Sequence, residues 1–106
     1  MILIDTFAIY ALADRADPQH RRARRQFDQL RATGVTILTH SYVLIESVAL
    51  LKHRLGFATA RTFVDDARAF EMEWISAATH EAAVELWRQK GRRKVSLVDA
   101  VSFVVM

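Results

Sequence analysis

The spacing of apolar and polar positions changes several times along this chain, and each change marks an element. Ile2-Leu3-Ile4 is an unbroken apolar run that stops at Asp5, the pattern of a short buried strand. Thr6 to Ala13 reads as a short helix, closed by the polar turn Asp14-Arg15-Ala16-Asp17. Asp17-Pro18 predicts a second helix start, with Asp17 as N-cap and Pro18 in the first helical position. That helix carries Ala23, Phe27 and Leu30 on one face, and Gly34 ends it. Val35 to Leu38 predicts a second strand. Thr39 or Ser41 is placed to cap the next helix, which stays apolar nearly all round until Lys52 and breaks at Gly56. Such a helix is buried on most faces or shared with a partner.

A further helix is expected from about Ala58 to Phe70, and Glu73-Trp74-Ile75 reads as a third strand. Thr79 is read as the cap of a helix through Gln89, with Ala83, Leu86 and Trp87 as its stripe. Ser96 opens a last helix that runs into Phe103-Val104-Val105-Met106. Strands alternating with helices predict an α/β domain with a parallel sheet and helices on both faces. No repeat, linker or low-complexity segment divides residues 1–106, so a single domain is expected.

Composition narrows the classes. A chain of 106 residues with 52% hydrophobic and 25% charged content suits one soluble core. The absence of cysteine excludes disulfides and thiolate metal sites and fits a reducing compartment. No apolar run approaches the roughly 20 residues that cross a bilayer. Met1 to Ile4 meets Asp5 without a basic leader, unlike a signal peptide, so a cytoplasmic location is expected. The net charge of +3 is unevenly spread. Arg21, Arg22, Arg24, Arg25 and Arg31 crowd one segment, and Lys90, Arg92, Arg93 and Lys94 crowd another. Solvated helix faces account for such clusters, but beside a carboxylate site they also suit a polyanionic ligand.

Asp5, Glu46 and Asp99 carry the candidate chemistry. Each stands in apolar sequence, where burial is expected, and a buried carboxylate needs a partner or a cation. Convergence on one hydrated divalent ion is the simplest joint explanation. Each also has a plainer role. Asp5 fits an N-cap, Glu46 fits a core ion pair with an arginine, and Ser96-Leu97-Val98-Asp99 has capping-box spacing. His20, His40, His53 and His80 lack ligand spacing and are read as surface or hydrogen-bonded residues. Phe7, Trp74 and Trp87 are read as core.

The same three segments carry a family resemblance. Ile2-Leu3-Ile4-Asp5-Thr6, Tyr42-Val43-Leu44-Ile45-Glu46 and Ser96-Leu97-Val98-Asp99-Ala100 resemble the three leading acidic motifs of PIN-domain nucleases, most of all VapC-type toxin ribonucleases. Asp17-Pro18-Gln19-His20 followed by Ala23 is similar to that family's second-helix entry. The resemblance implies an endoribonuclease using Mg²⁺ or Mn²⁺, with Asp5 and Asp99 as direct ligands and Glu46 acting through water. Thr6 and Ser96 would support these acids, and Lys90, Arg92, Arg93 and Lys94 would hold substrate phosphates. An antitoxin protein and a homodimer, the latter through Val43–Leu55 and Ala58–Phe70, are the partners it implies. Members usually continue into another strand beside the first, ending in a fourth acid. Met106 ends the sequence before that point, so the expected fold is a C-terminally truncated PIN-like one. The alternative is a catalytically impaired PIN-like module that binds protein or RNA. A phosphatase using Asp5 as nucleophile is disfavoured, because haloacid-dehalogenase-like enzymes need a second Asp where Phe7 stands.

Overall fold

The computed structural model describes residues 2–90 and 94–106. The elements run β1 (Ile2–Leu3), α1 (Thr6–Ala13), α2 (His20–Ala32), β2 (Ile37–His40), α3 (Ser41–Leu55) and α4 (Phe57–Asp66). A 3₁₀ turn (Ala67–Ala69) leads to β3 (Glu71–Glu73), followed by α5 (Ala77–Lys90) and α6 (Leu97–Val105). The sheet is wholly parallel in the order β1-β2-β3. Parallel neighbours need long crossovers, and here helix pairs supply them: α1 and α2, then α3 and α4. The α/β fold with a helix-flanked parallel sheet is as the sequence predicts.

Two apolar clusters hold it together. The larger joins Ile4, Ile9, Ile37, Val43, Leu51 and Ala60, with Phe27 and Leu30 of α2 packed on it. The smaller joins Ala83, Ala100 and Val101, with Tyr42 and Ile75 against them. Helices α5 and α6 thus form a layer of their own, attached to the rest through few side chains. Val98 of α6 reaches the larger cluster, and Tyr42 of α3 reaches the smaller.

Element types match the sequence pattern, while several boundaries move for identifiable reasons. Helix α2 starts at His20 because the Asp17 carboxylate accepts the Gln19 N–H at 2.8 Å. The Asp17 carbonyl accepts the His20 N–H at 3.0 Å, so Pro18 and Gln19 sit inside a turn. Strand β2 extends to His40, because Thr39 and His40 pair with Met72 and Glu73 of β3. Helix α3 is capped by His40, not by Thr39 or Ser41. The Thr39 hydroxyl donates to the Ile4 carbonyl at 3.3 Å, and the Ser41 hydroxyl accepts the Ile75 N–H at 3.0 Å, so both are engaged elsewhere. Helix α5 starts two residues before Thr79, because the Ser76 hydroxyl accepts the Thr79 N–H at 3.1 Å. Gly34 and Gly56 end their helices at φ +74° and +96°, a region that other residues enter only with strain.

Candidate active site

All strands being parallel, their carboxyl ends share one edge of the sheet, where open α/β folds bind ligands. Asp5 stands there as the N-cap of α1, its Oδ1 accepting the Ala8 N–H at 2.9 Å. Glu46 lies in the second turn of α3, which starts directly from the end of β2. Asp99 is in the first turn of α6 and closes a capping box with Ser96. The Ser96 hydroxyl accepts the Asp99 N–H at 3.0 Å, and Asp99 Oδ2 accepts the Ser96 N–H at 3.2 Å.

All three carboxylates are exposed, which corrects the burial expected of them. Ile4, Ser47 and Ala100, each adjacent to one of the acids, take the inward positions and leave the carboxylates outside. On α3, for example, Val43, Ser47 and Leu51 take the inner face at one-turn spacing, leaving Glu46 off it. The desolvation penalty that would have demanded a cation is therefore absent. The ion pair considered for Glu46 is not formed either: the pairs among the described residues are Arg24–Asp28 and Arg88–Glu85. Among the described residues no three acidic or histidine side chains come close enough together to hold one ion.

The plainer readings of Asp5 and Asp99 are thus realised, but each uses only one carboxylate oxygen in its cap. Among the described residues the other oxygen takes no protein hydrogen bond, so capping orients these carboxylates without saturating them. Asp5 also touches an apolar groove of about 270 Å³ along β1, whose wall includes Ile4, Ala8, Leu12, Phe27 and Leu30.

The PIN domain family profile matches residues 2–106, nearly the whole chain. This chain belongs to the PIN domain family. Its structure is similar to that of VapC20 from Mycobacterium tuberculosis, a toxin that cleaves the sarcin–ricin loop, with a TM-score of 0.85 and 30% identity. The match covers 100% of this PIN domain and 81% of the VapC20 chain. A comparison with curated protein sequences finds no match.

Around the acids of this PIN domain, the supporting residues behave unequally. Ser96 supports Asp99, through its backbone N–H and as acceptor at its hydroxyl. Among the described residues Thr6 gives Asp5 no hydrogen bond, and its buried Oγ1 has no partner there, nor does Ser47 Oγ. Lys90 ends α5 and Lys94 follows with φ 63°, both exposed. Arg92 and Arg93 lie outside the described residues. The arginines of α2 are all exposed, as a solvated face requires. Phe7, Trp74 and Trp87, expected in the core, are 85%, 69% and 41% exposed. Their places inside are taken by smaller side chains such as Ile9, Val43 and Ala83.

His40 is the residue that sequence patterning missed. It is fully buried, accepts the Val43 N–H at Nδ1 (3.3 Å), and contacts Ser102 Oγ through Nε2 at 2.8 Å. Its partner is 62 positions away, so no local signal announces it. His20 bonds the Ala11 carbonyl and His80 the Tyr42 hydroxyl, as expected for satisfied histidines.

Burial pushes the His40 imidazole below its ordinary pKa of 6.5, and the Glu46 charge offsets part of that shift. The unfolded chain therefore binds this proton more readily than the folded one. His40 contributes stability that is complete above about pH 6.5 and lost as pH falls toward the folded value. Urea midpoints at pH 7 and pH 5 should differ, and the difference should shrink in His40→Asn. Equal pH dependence in the two proteins would refute this assignment.

Proposed function

We propose that this PIN domain is a VapC-type toxin ribonuclease that cuts RNA phosphodiester bonds with Mg²⁺ or Mn²⁺. The likeness to VapC20 over the whole chain carries the substrate class. The position of Asp5 at the carboxyl end of β1, and of Glu46 on the helix that follows β2 directly, supports their role. Asp5 and Asp99 are the proposed direct ligands, with Glu46 acting through water. An all-oxygen donor set suits a hard cation that keeps much of its hydration. Such a cation supplies positive charge for the scissile phosphate and acidity for an attacking water. The chain's own part is to fix the two capping carboxylates in orientation and to hold substrate phosphates at Lys90, Arg92, Arg93 and Lys94. Phosphate contacts of that kind position RNA without reading its sequence.

An antitoxin partner and a homodimer belong to the same proposal. On the proposed dimer surface, Val43 and Leu51 are consumed by the protein's own core, leaving Ile45, Phe57 and Val64 as the large exposed apolar side chains of α3 and α4. Light scattering at high concentration tests it, and a monomer there contradicts it. A second reading, a PIN-like module that binds RNA or protein without cutting, is favoured by the lack of a preassembled acidic cluster among the described residues.

One assay separates the two. RNA incubated with the chain should be cut in Mg²⁺ or Mn²⁺ and left whole in chelator. Cleavage that survives chelator would refute the metal mechanism. Retention of RNA without cleavage in either metal would leave the binding module as the function.

A further inference from the structure

We propose that His40 and Ser102 are positioning residues: a buried hydrogen-bond chain from His40 through Ser102 sets where the Asp99 turn stands relative to the helix carrying Glu46. This inference rests on the ribonuclease reading above for its catalytic consequence, though not for its structural one.

The protons in this chain are assigned by elimination. The Val43 N–H points at Nδ1, so Nδ1 carries no proton and the neutral ring is protonated at Nε2. Nε2–H then donates to Ser102 Oγ at 2.8 Å, and the Ser102 hydroxyl donates to the Val98 carbonyl at 3.2 Å. Both ring nitrogens and the Ser102 hydroxyl have partners, and the ring sits at 0% exposure, where a lost partner is expensive.

The chain matters because of where it ends. Val98 and Ser102 bracket Asp99 on α6, one residue before it and three after. His40 is the last residue of β2 and the cap of α3, whose second turn bears Glu46. The layer made by α5 and α6 has its own small cluster and meets α3 through Tyr42, which packs on that cluster and bonds His80 of α5, through Val98, and through the His40–Ser102 bond to α6. Val98 supplies apolar contact, which tolerates sliding, while the Tyr42 hydroxyl ties α3 to His80 of α5 at 2.6 Å and makes no bond to α6. The His40–Ser102 bond is directional and fixes the register of α6.

The two ring nitrogens can be tested separately. His40→Asn keeps a good capping acceptor but is too short to reach Ser102. His40→Gln keeps an amide donor near the Nε2 position but gives up the cap. All three variants should unfold at lower urea, because each leaves a buried group without its partner, so kcat is what separates them. His40→Asn and Ser102→Ala should stay folded in the assay and lose about tenfold in kcat on RNA at unchanged KM, the scale of a lost supporting hydrogen bond. The double variant should lose no more than either single one. His40→Gln should unfold at lower urea yet keep its kcat.

Amide NMR gives a readout independent of cleavage. The Ser96 and Asp99 resonances should move in His40→Asn and Ser102→Ala, and stay in place in His40→Gln. Activity that follows stability through the series, or Asp99 resonances indifferent to Ser102, would overturn the proposal. If the unaltered chain cuts no RNA, the ribonuclease reading fails alone and the NMR series still decides whether the tie exists.

Discussion

Asp5→Asn is expected to stay folded, with stability within about 1 kcal/mol of the native chain, while RNA cleavage falls by roughly 100-fold or more. The two halves of this expectation come from different atoms of one side chain. Asp5 Oδ1 caps α1 by accepting the Ala8 N–H at 2.9 Å. Asparagine is as good an N-cap as aspartate, and its amide oxygen can take the same bond. Only the favourable placement of negative charge at the helix N-terminus is lost, a small effect for an exposed group. The second oxygen and the full charge are what the proposed chemistry needs, and these the amide lacks. Asp5→Ala would be less informative, because it removes cap and charge together. Cleavage rates and urea unfolding of Asp5→Asn decide the matter. Undiminished cleavage would remove Asp5 from the site, and a collapse in stability would reduce it to a cap.

The architecture was legible because the apolar period changes with each element. Ile2 to Ile4 and the run into Leu38 announced strands, and the one-turn spacing of Val43, Ser47 and Leu51 belongs to a helix with one inner face. Boundaries slipped where a polar side chain had a rival partner. Ser41 is a natural cap by composition, yet its hydroxyl serves Ile75, and the capping falls to His40.

The sequence singles out Asp5, Glu46 and Asp99 as candidates, but their exposure does not follow from their neighbours. Apolar neighbours do not bury a carboxylate, because each helical step turns the next side chain by about 100°. Glu46 between Ile45 and Ser47 illustrates this: Ser47 is buried at 1% exposure while Ile45 is 64% exposed. The large aromatics depart from expectation for the same reason: Phe7 is on an outer face of α1, while Ile9 and Ala11 take the inner one. His40 carried no readable signal, because its meaning depends on Ser102 arriving from the other end of the chain.

Leu51→Ala should be the most damaging single truncation, lowering stability by about 2–5 kcal/mol, a large share of the roughly 5–15 kcal/mol typical of a folded protein. Leu51 is at 0% exposure and shares a cluster with Ile4, Ile9, Ile37, Val43 and Ala60, which reach it from the sheet and from α1, α3 and α4. A cavity walled by that many elements cannot close by moving one of them, so most of the lost packing stays lost. Ile45→Ala on the same helix removes a side chain 64% exposed and should change stability by no more than about 0.5 kcal/mol. The contrast tests the orientation of α3 directly, and with it the side from which Glu46 projects. Urea unfolding of both variants gives the answer. Similar losses at the two positions would mean that α3 is rotated from the orientation described, and Glu46 would no longer face outward.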